Sequence, residues 1–432
     1  MTHFWTVNSI AQQPDTNVQD NNKPLQWYLN EQKTRWIGFH TYAQFWARAN
    51  DNNPGSIVSE KAQQTTTDLS IRRFRIGIKS QVSEKLFIYT QFGTNNLNYL
   101  TNRKTSIKLL DAYVEYSFSE KFNIGAGKSI WNGLSRFSSP STSKLMIIDV
   151  PFLALPTLNT TDDLLRNLGV FVKGKLHKID YRFIMSKPFP IQSEIDPGEG
   201  IAEFANTHTD MQYAGYIKYE FLQPENNKYA THSGTYVGEK NILSIGTGFK
   251  YQSDALCSLD QGIEKFHDLS LFAADAFLDV PINKNKGTAL SAYLGFFEYD
   301  FGPNYIRSIG ANNPTDGLDP VSASFNGKGN SYPVIGTGTS ILYQIGYLFP
   351  KMGKNLNTGQ LQPYLRMQYS DFERLENPLT AFDLGINWFL KGHSSKISFN
   401  AQNRPIYFDR GKRPKTEDRK WMFILQYQFK LK

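Results

Sequence analysis

The sequence predicts an all-β chain, a transmembrane antiparallel β-barrel of about 16 strands with long extracellular loops and short periplasmic turns. Three observations predict it. Segments of roughly ten residues alternate apolar and polar side chains along most of the chain, enough to cross a bilayer at a tilt. The connections between them mostly alternate long and short, which gathers long loops at one end of a barrel and tight turns at the other. Aromatic residues, 14% of the chain, repeatedly stand on the apolar face near strand ends, as interfacial girdles would.

The clearest pair of strands is a hairpin. Leu110, Ala112, Val114, Tyr116 and Phe118 alternate with Asp111, Tyr113, Glu115 and Ser117. Successive side chains of a strand point to opposite faces, so one face is apolar and the other polar. Ser119-Glu120-Lys121 turns, and Phe122, Ile124 and Ala126 then alternate with Asn123, Gly125 and Gly127. After Lys128 the alternation stops until Arg166. A loop of that length inside a compact domain is usually functional.

The remaining elements follow in order. Residues 1–13 resemble the tail of a secretory signal peptide around its cleavage site. Residues 14–35 read as a polar periplasmic lead-in, and 36–432 as a single barrel. Strand one is 36–48, before a polar loop at 50–66. Strand two sets Arg73, Arg75, Gly77 and Lys79 against Phe74, Ile76 and Ile78, and strand three follows a short turn. The hairpin supplies strands four and five, and 129–165 is the long loop. Strands six and seven are 167–176 and 178–186. Strand eight is 211–221, and its connection at 223–239 is long for a periplasmic turn. Strand nine is 241–252. A loop at 253–265 holds the single cysteine, Cys257. Strands ten to thirteen are 268–280, 288–301, 339–349 and 360–372, with a long loop at 302–337. Phe382, Leu384, Ile386 and Trp388 mark strand fourteen. Ile397, Phe399 and Ala401 mark strand fifteen, and a last loop spans 403–419. Trp421, Phe423, Leu425, Tyr427 and Phe429 share a face of the closing strand.

Composition narrows the function. Mean hydropathy is −0.45, which a membrane barrel permits because only half of each strand faces lipid. No run approaches the ~20 apolar residues of a spanning helix, and Leu145–Leu155 is broken by Asp149 and Pro151. The net charge of +8 is spread along the chain, with no basic run that argues for nucleic acid. The 7 histidines show no ligand spacing, so neither metal nor cofactor is expected. Gly127-Lys128-Ser129 ends like a phosphate-binding loop, but Phe122 stands where that loop needs glycine. The competing readings are a soluble β-sandwich or propeller, a barrel serving adhesion or secretion, and a membrane esterase with a Ser–His pair in its wall.

Several short motifs carry a resemblance. Arg72-Arg73-Phe74-Arg75, Leu110-Asp111-Ala112-Tyr113-Val114-Glu115-Tyr116, Gly125-Ala126-Gly127-Lys128 and Ile148-Asp149-Val150-Pro151 resemble the phosphate-selective porin O and P family and its relatives in Bacteroidetes bacteria. Gly302-Pro303-Asn304-Tyr305-Ile306-Arg307 and Gln426-Tyr427-Gln428-Phe429 fit the same picture. The resemblance implies a trimeric pore of the cell outer membrane with an inward-folded third loop.

The expected function is passive diffusion of small hydrophilic solutes with a weak preference for anions, phosphate among them. The expected surroundings are outer-membrane lipid and two further copies of the chain. Strand phase points Arg73, Arg75, Lys79, Lys173, Arg182, Lys218, Lys250, Arg366 and Lys396 into the lumen, together with Asp111, Glu115, Asp180, Glu220, Asp275, Asp279 and Asp383. The loop at 129–165 is too apolar to hang free, since it holds Trp131, Leu134, Phe137 and 145–155. It is expected to fold inward and narrow the pore, with Trp131, Arg136, Lys144 and Asp149 as its candidate constriction residues.

Overall fold

The computed structural model describes residues 25–101, 106–131, 133–192, 197–205, 210–353, 359–411 and 413–431. The expected signal-peptide remnant and the start of the lead-in lie outside them. Sixteen strands form one antiparallel wall. In chain order they are β1 (Trp36–Asp51), β2 (Thr65–Gln81), β3 (Leu86–Leu97), β4 (Lys108–Ser119), β5 (Phe122–Ser129), β6 (Asn167–Leu176), β7 (Ile179–Lys187) and β8 (Gln212–Glu220). Then come β9 (Ile242–Asp260), β10 (Ile263–Asn283), β11 (Thr288–Asp300), β12 (Gly338–Leu348), β13 (Gln360–Phe372), β14 (Leu379–Lys391), β15 (Ser395–Phe408) and β16 (Lys415–Leu431). Each strand pairs with the next, and β16 pairs with β1 from Leu431 opposite Thr41 to Met422 opposite Asn50. The ring therefore has no edge, which is the condition for placing a sheet in lipid. No described helix is long and apolar enough to cross a membrane.

The alternation in the sequence becomes the two faces of this wall. Phe45, Ile76, Ile88, Val114, Ile124, Phe183, Ile217, Phe249, Leu384 and Phe423 are exposed on the outside. The inward set is polar and buried, including Gln44, Arg73, Glu115, Lys218, Lys250, Gln362, Ser398, Asn400 and Gln426.

The structure corrects two expectations and adds detail to two more. First, residues 253–265 are not a loop. β9 runs to Asp260 and β10 starts at Ile263, with an irregularity between Gln252 and Leu256. Residues 203–204 pair with Leu256 and Cys257 at the strand's edge, and Ala255–Ser258 are buried at four successive positions, so alternation is lost in this part of β9. Cys257 is a buried strand residue. Second, 403–419 is mostly strand. Asn403–Tyr407 is buried on both faces because the loop at 323–331 lies across it: Asn326 Nδ2 donates to the Pro405 carbonyl and Tyr407 N to Asn326 Oδ1, both at 2.8 Å. Third, at the end of the lead-in, Leu25–Tyr28 pairs with Trp36–Phe39 as a short extra strand at the short-turn end. Fourth, 221–241 is not a surface turn. It enters the lumen, as described below.

Candidate functional site

The site begins with an irregularity in β2. Gln44 pairs with Arg73 and Phe45 with Ile71, so Arg72 is an extra residue. Towards β3 the register stays one to one, with Arg73 opposite Asn95 and Ile71 opposite Leu97, so the irregularity lies on the β1 side alone. A bulge of this kind re-aims side chains. Here it turns both Arg72 and Arg73 inward, where strict alternation allows only one. Both guanidiniums hold the carboxylate of Asp149. Arg72 Nη2 lies 2.8 Å from Oδ2, and Arg73 Nη2 pairs with Oδ1. Arg72 also lies over the Trp46 ring, 5.3 Å from its centroid. Burial alone would raise the Asp149 carboxyl; the two arginines more than reverse this and hold it below the ordinary carboxylate range.

Asp149 belongs to the connection between β5 and β6, residues 130–166, which lies inside the barrel. The wall grips it along its length. Lys396 Nζ donates to the Leu145 carbonyl at 3.1 Å, Asn387 Nδ2 to the Met146 carbonyl at 2.6 Å and Gln428 Nε2 to the Ser143 carbonyl at 3.0 Å. Tyr299 Oη donates to the Leu153 carbonyl at 2.7 Å and Lys250 Nζ to Thr157 Oγ1 at 3.0 Å. Trp131, Leu134, Phe137 and Leu153 supply the apolar core beneath it, so the buried aromatics of the loop face protein rather than water. Lys173 and Arg182 lie 4.6 and 4.7 Å from the Trp131 ring centroid.

Arg136 is fully buried. Its Nη1 and Nη2 meet Glu225 Oε2 and Oε1 at 2.8 and 2.6 Å, its backbone N–H donates to Asp275 Oδ2 at 2.7 Å, and its guanidinium stands 3.5 Å from the Phe277 centroid. Burial would raise the Glu225 carboxyl, but Arg136 and Lys218 hold it well below the ordinary range.

The strand residues expected in the lumen all face inward, and they divide into two groups. Most are paired inside the wall. Lys173 meets Glu115 at 2.9 Å, Lys218 meets Glu220 at 2.8 Å and Glu225 at 2.7 Å, and Arg366 meets Asp383 at 2.7 Å. Arg182 donates to the Ala230 carbonyl at 2.6 Å. Arg73, Lys250 and Lys396 hold the loop. Arg75 and Lys79 line a chamber of about 540 Å³ at the short-turn end, as does Asp111, which pairs with Arg166 at 2.9 Å, and Lys144 reaches it from the loop. The expected set missed four further cations of this chamber or its anchors. Arg72 was hidden by the bulge, and Arg166 and Lys240 lie in or beside connections, where alternation gives no direction; Lys430 shares the inward face of β16 and was readable from its phase.

Glycines shape the chamber wall. A Cβ at Gly77 would collide with the His40 ring, which lies across that position and stacks on Tyr89 at 6.0 Å between centroids. A Cβ at Gly93 would meet the Arg75 side chain. A second hollow, about 580 Å³, lies among the long loops, lined by Asn159, Glu203, Tyr305 and Arg307 among others. Between the two lie residues 147–152, beside a cavity of only about 20 Å³.

The wall also contains a Ser–His pair. Ser258 Oγ and His267 Nε2 are 2.8 Å apart. Ser258 is 2% exposed, so its hydroxyl is closed to an ester carbonyl.

Known proteins agree with this geometry. Residues 39–170, under a third of the chain, match the sequence model of the family described as phosphate-selective porin O and P. No curated protein matches the chain by sequence. Among solved structures, OprB of Pseudomonas putida superposes with a TM-score of 0.55 at 9% identity, covering 91% of this chain and 94% of its own. OmpF of Salmonella typhi, solved in complex with daunomycin, gives 0.53 at 10% identity, covering 94% and 100%. An anion-selective porin from Comamonas acidovorans gives 0.50 at 11% identity, covering 91% and 99%. At these identities the likeness is one of fold.

Proposed function

Starting from an outer-membrane porin, the reading that the sixteen-strand barrel and the family match over residues 39–170 support, we propose that the chain passes small hydrophilic solutes and favours anions weakly, phosphate among them. The observation that carries this reading is the charge of the chamber: six cationic side chains line it against Asp111 and Glu239. Screening at ~0.15 M salt confines a charge to about 8 Å, so groups at the chamber wall govern the passing ion. The preference rests on the excess of cations over carboxylates at the chamber wall, where Asp111 is itself paired with Arg166 at 2.9 Å.

In this reading residues 130–166 are the constriction. Trp131 and Arg136 anchor the loop, Asp149 fixes its middle against β2, and Lys144 presents its charge to the chamber. The protein assembles as a homotrimer and sits in outer-membrane lipid. A channel with this fold needs no catalytic group. A reversal potential measured across a potassium chloride gradient, with purified protein in a planar bilayer, tests the proposal. Anion preference is expected. Cation preference refutes the selectivity, and absence of any conductance refutes the pore.

A further inference from the structure

The connection between β8 and β9, residues 221–241, leaves the wall at the short-turn end and folds into the lumen. The interior grips it with buried cations. Lys173 Nζ donates to the carbonyls of Asn227 and Lys228 at 2.8 and 3.0 Å, and Arg182 Nη1 to that of Ala230 at 2.6 Å. It also joins the loop that enters between β5 and β6: His232 N donates to the Ser139 carbonyl and Ser141 N to the His232 carbonyl, both at 2.8 Å. This is a built element rather than slack chain, because each of these contacts satisfies a polar group that burial would otherwise leave unpaired.

The element brings aromatic faces and charge together at the chamber. Tyr229 lies under Lys79, whose Nζ is 4.0 Å from the ring centroid, and against Phe87 at 6.0 Å. Lys228 stands 5.1 Å from the Trp36 centroid. Tyr42, Tyr89 and Tyr113 also line the chamber, with Tyr89 and Tyr113 at 5.5 Å between centroids. The chamber, about 540 Å³, is the size of a small-molecule site. A small hydrated ion uses only the charges of such a space. A solute that joins an anionic head to a flat apolar body also gains contact with the rings, and an aromatic contact of this kind adds about two- to tenfold in affinity.

We propose that residues 221–241 form the floor of the chamber, and that this floor and the tyrosine wall retain organic anions bearing a flat apolar group over small inorganic or aliphatic anions. The inference builds on the anion-preferring pore described above, whose substrate class it specifies.

Benzenesulfonate and methanesulfonate share one permanently charged head group and differ in the ring, so they isolate the effect. Their binding to the purified full-length protein in detergent, measured by calorimetry, tests the chamber whether or not the pore conducts. Benzenesulfonate is expected to bind about tenfold more tightly. Tyr229→Phe keeps the ring and is expected to keep the ratio; Tyr229→Ala is expected to reduce it to below threefold. Equal binding of the two sulfonates overturns the proposal, as does an unchanged ratio in Tyr229→Ala. If the protein conducts chloride while the ratio is one, the chamber reading falls and the porin reading stands. If the ratio holds in a protein without conductance, the porin reading falls and the chamber stands.

Discussion

Arg136 and Glu225 form a bidentate ion pair at 2.6 and 2.8 Å, although one enters the lumen from the long-loop end and the other from the short-turn end. The pair ties the two inward-folded segments into one unit. Glu225 also accepts from Lys218 at 2.7 Å and from Tyr236 at 2.5 Å, so its oxygens are saturated. Breaking such a pair from one side leaves an uncompensated buried charge, which costs about 3–5 kcal/mol. Arg136→Ala is therefore expected to lower the thermal unfolding midpoint and to let protease reach residues 130–144. Arg136→Met with Glu225→Leu should recover most of the loss, because the double change removes both charges. Circular dichroism melts in detergent and limited proteolysis check both outcomes.

Arg73 and Arg75 are two residues apart on one strand but have different jobs. Arg73 holds Asp149, while Arg75 faces the chamber. Arg75→Glu is expected to shift the reversal potential toward cations with the loop in place. Arg73→Glu sets a carboxylate against Asp149 and is expected to displace the loop, raising conductance and current noise. Single-channel recordings that show the same phenotype for both variants would remove this division.

Deleting residues 138–143 removes the backbone partners of His232 and the Ser143 carbonyl held by Gln428. Single-channel conductance should rise. Unchanged conductance in a folded deletion variant would acquit the loop of narrowing the pore.

Two loop carboxylates and a loop histidine shape the acid limb of stability. Asp149 and Glu225 both titrate below their unfolded values, despite burial, because of their arginine and lysine neighbours. Their stabilisation is complete above the ordinary carboxylate range near pH ~4 and is lost as pH falls through the lower folded values. His232 is held neutral by burial, so its share is lost earlier, as pH falls through the ordinary imidazole range near ~6.5. The melting temperature is expected to start falling below about pH 6.5 and to fall more steeply below about pH 4. Glu225→Gln should flatten the steeper part.

Gly77→Ala drives a methyl into the His40 ring. Overpacking of this kind costs about 1–3 kcal/mol. Combining it with His40→Ala should restore the wild-type midpoint to within the cost of losing the imidazole, a coupling that a double-mutant cycle reads directly.

The sequence shows the barrel because each strand writes its two faces into alternate residues, and this survives wherever lipid lies on one side and polar lumen on the other. It fails where that contrast fails. Asn403–Tyr407 is buried on both faces, so its mixed composition reads as loop although it is strand. The end of β9 fails for the same reason. Arg72 shows a different limit. A single inserted residue reverses face, and periodicity cannot reveal it without the pairing register on both sides. The excess of inward bases was legible, but its division into paired and chamber-lining groups was not. Pairing depends on neighbours brought by segments 130–166 and 221–241, whose paths no strand period encodes.

The seam between β1 and β16 bears on how the chain is made. Gln44 donates to Gln428 at 2.9 Å across it, a bond between residues 384 positions apart, and Trp46 donates to Gln426 at 2.8 Å. Until the last strand has been synthesised the first is paired on one side only, by β2, and its other edge is open to other chains. So long-range a contact forms late, since its loop-closure entropy must be met before any reward. The ring is thus a post-translational object. Its newborn chain must be kept from sideways association over its whole length, and deleting the strand at 415–431 should leave an unclosed sheet rather than a slightly smaller pore.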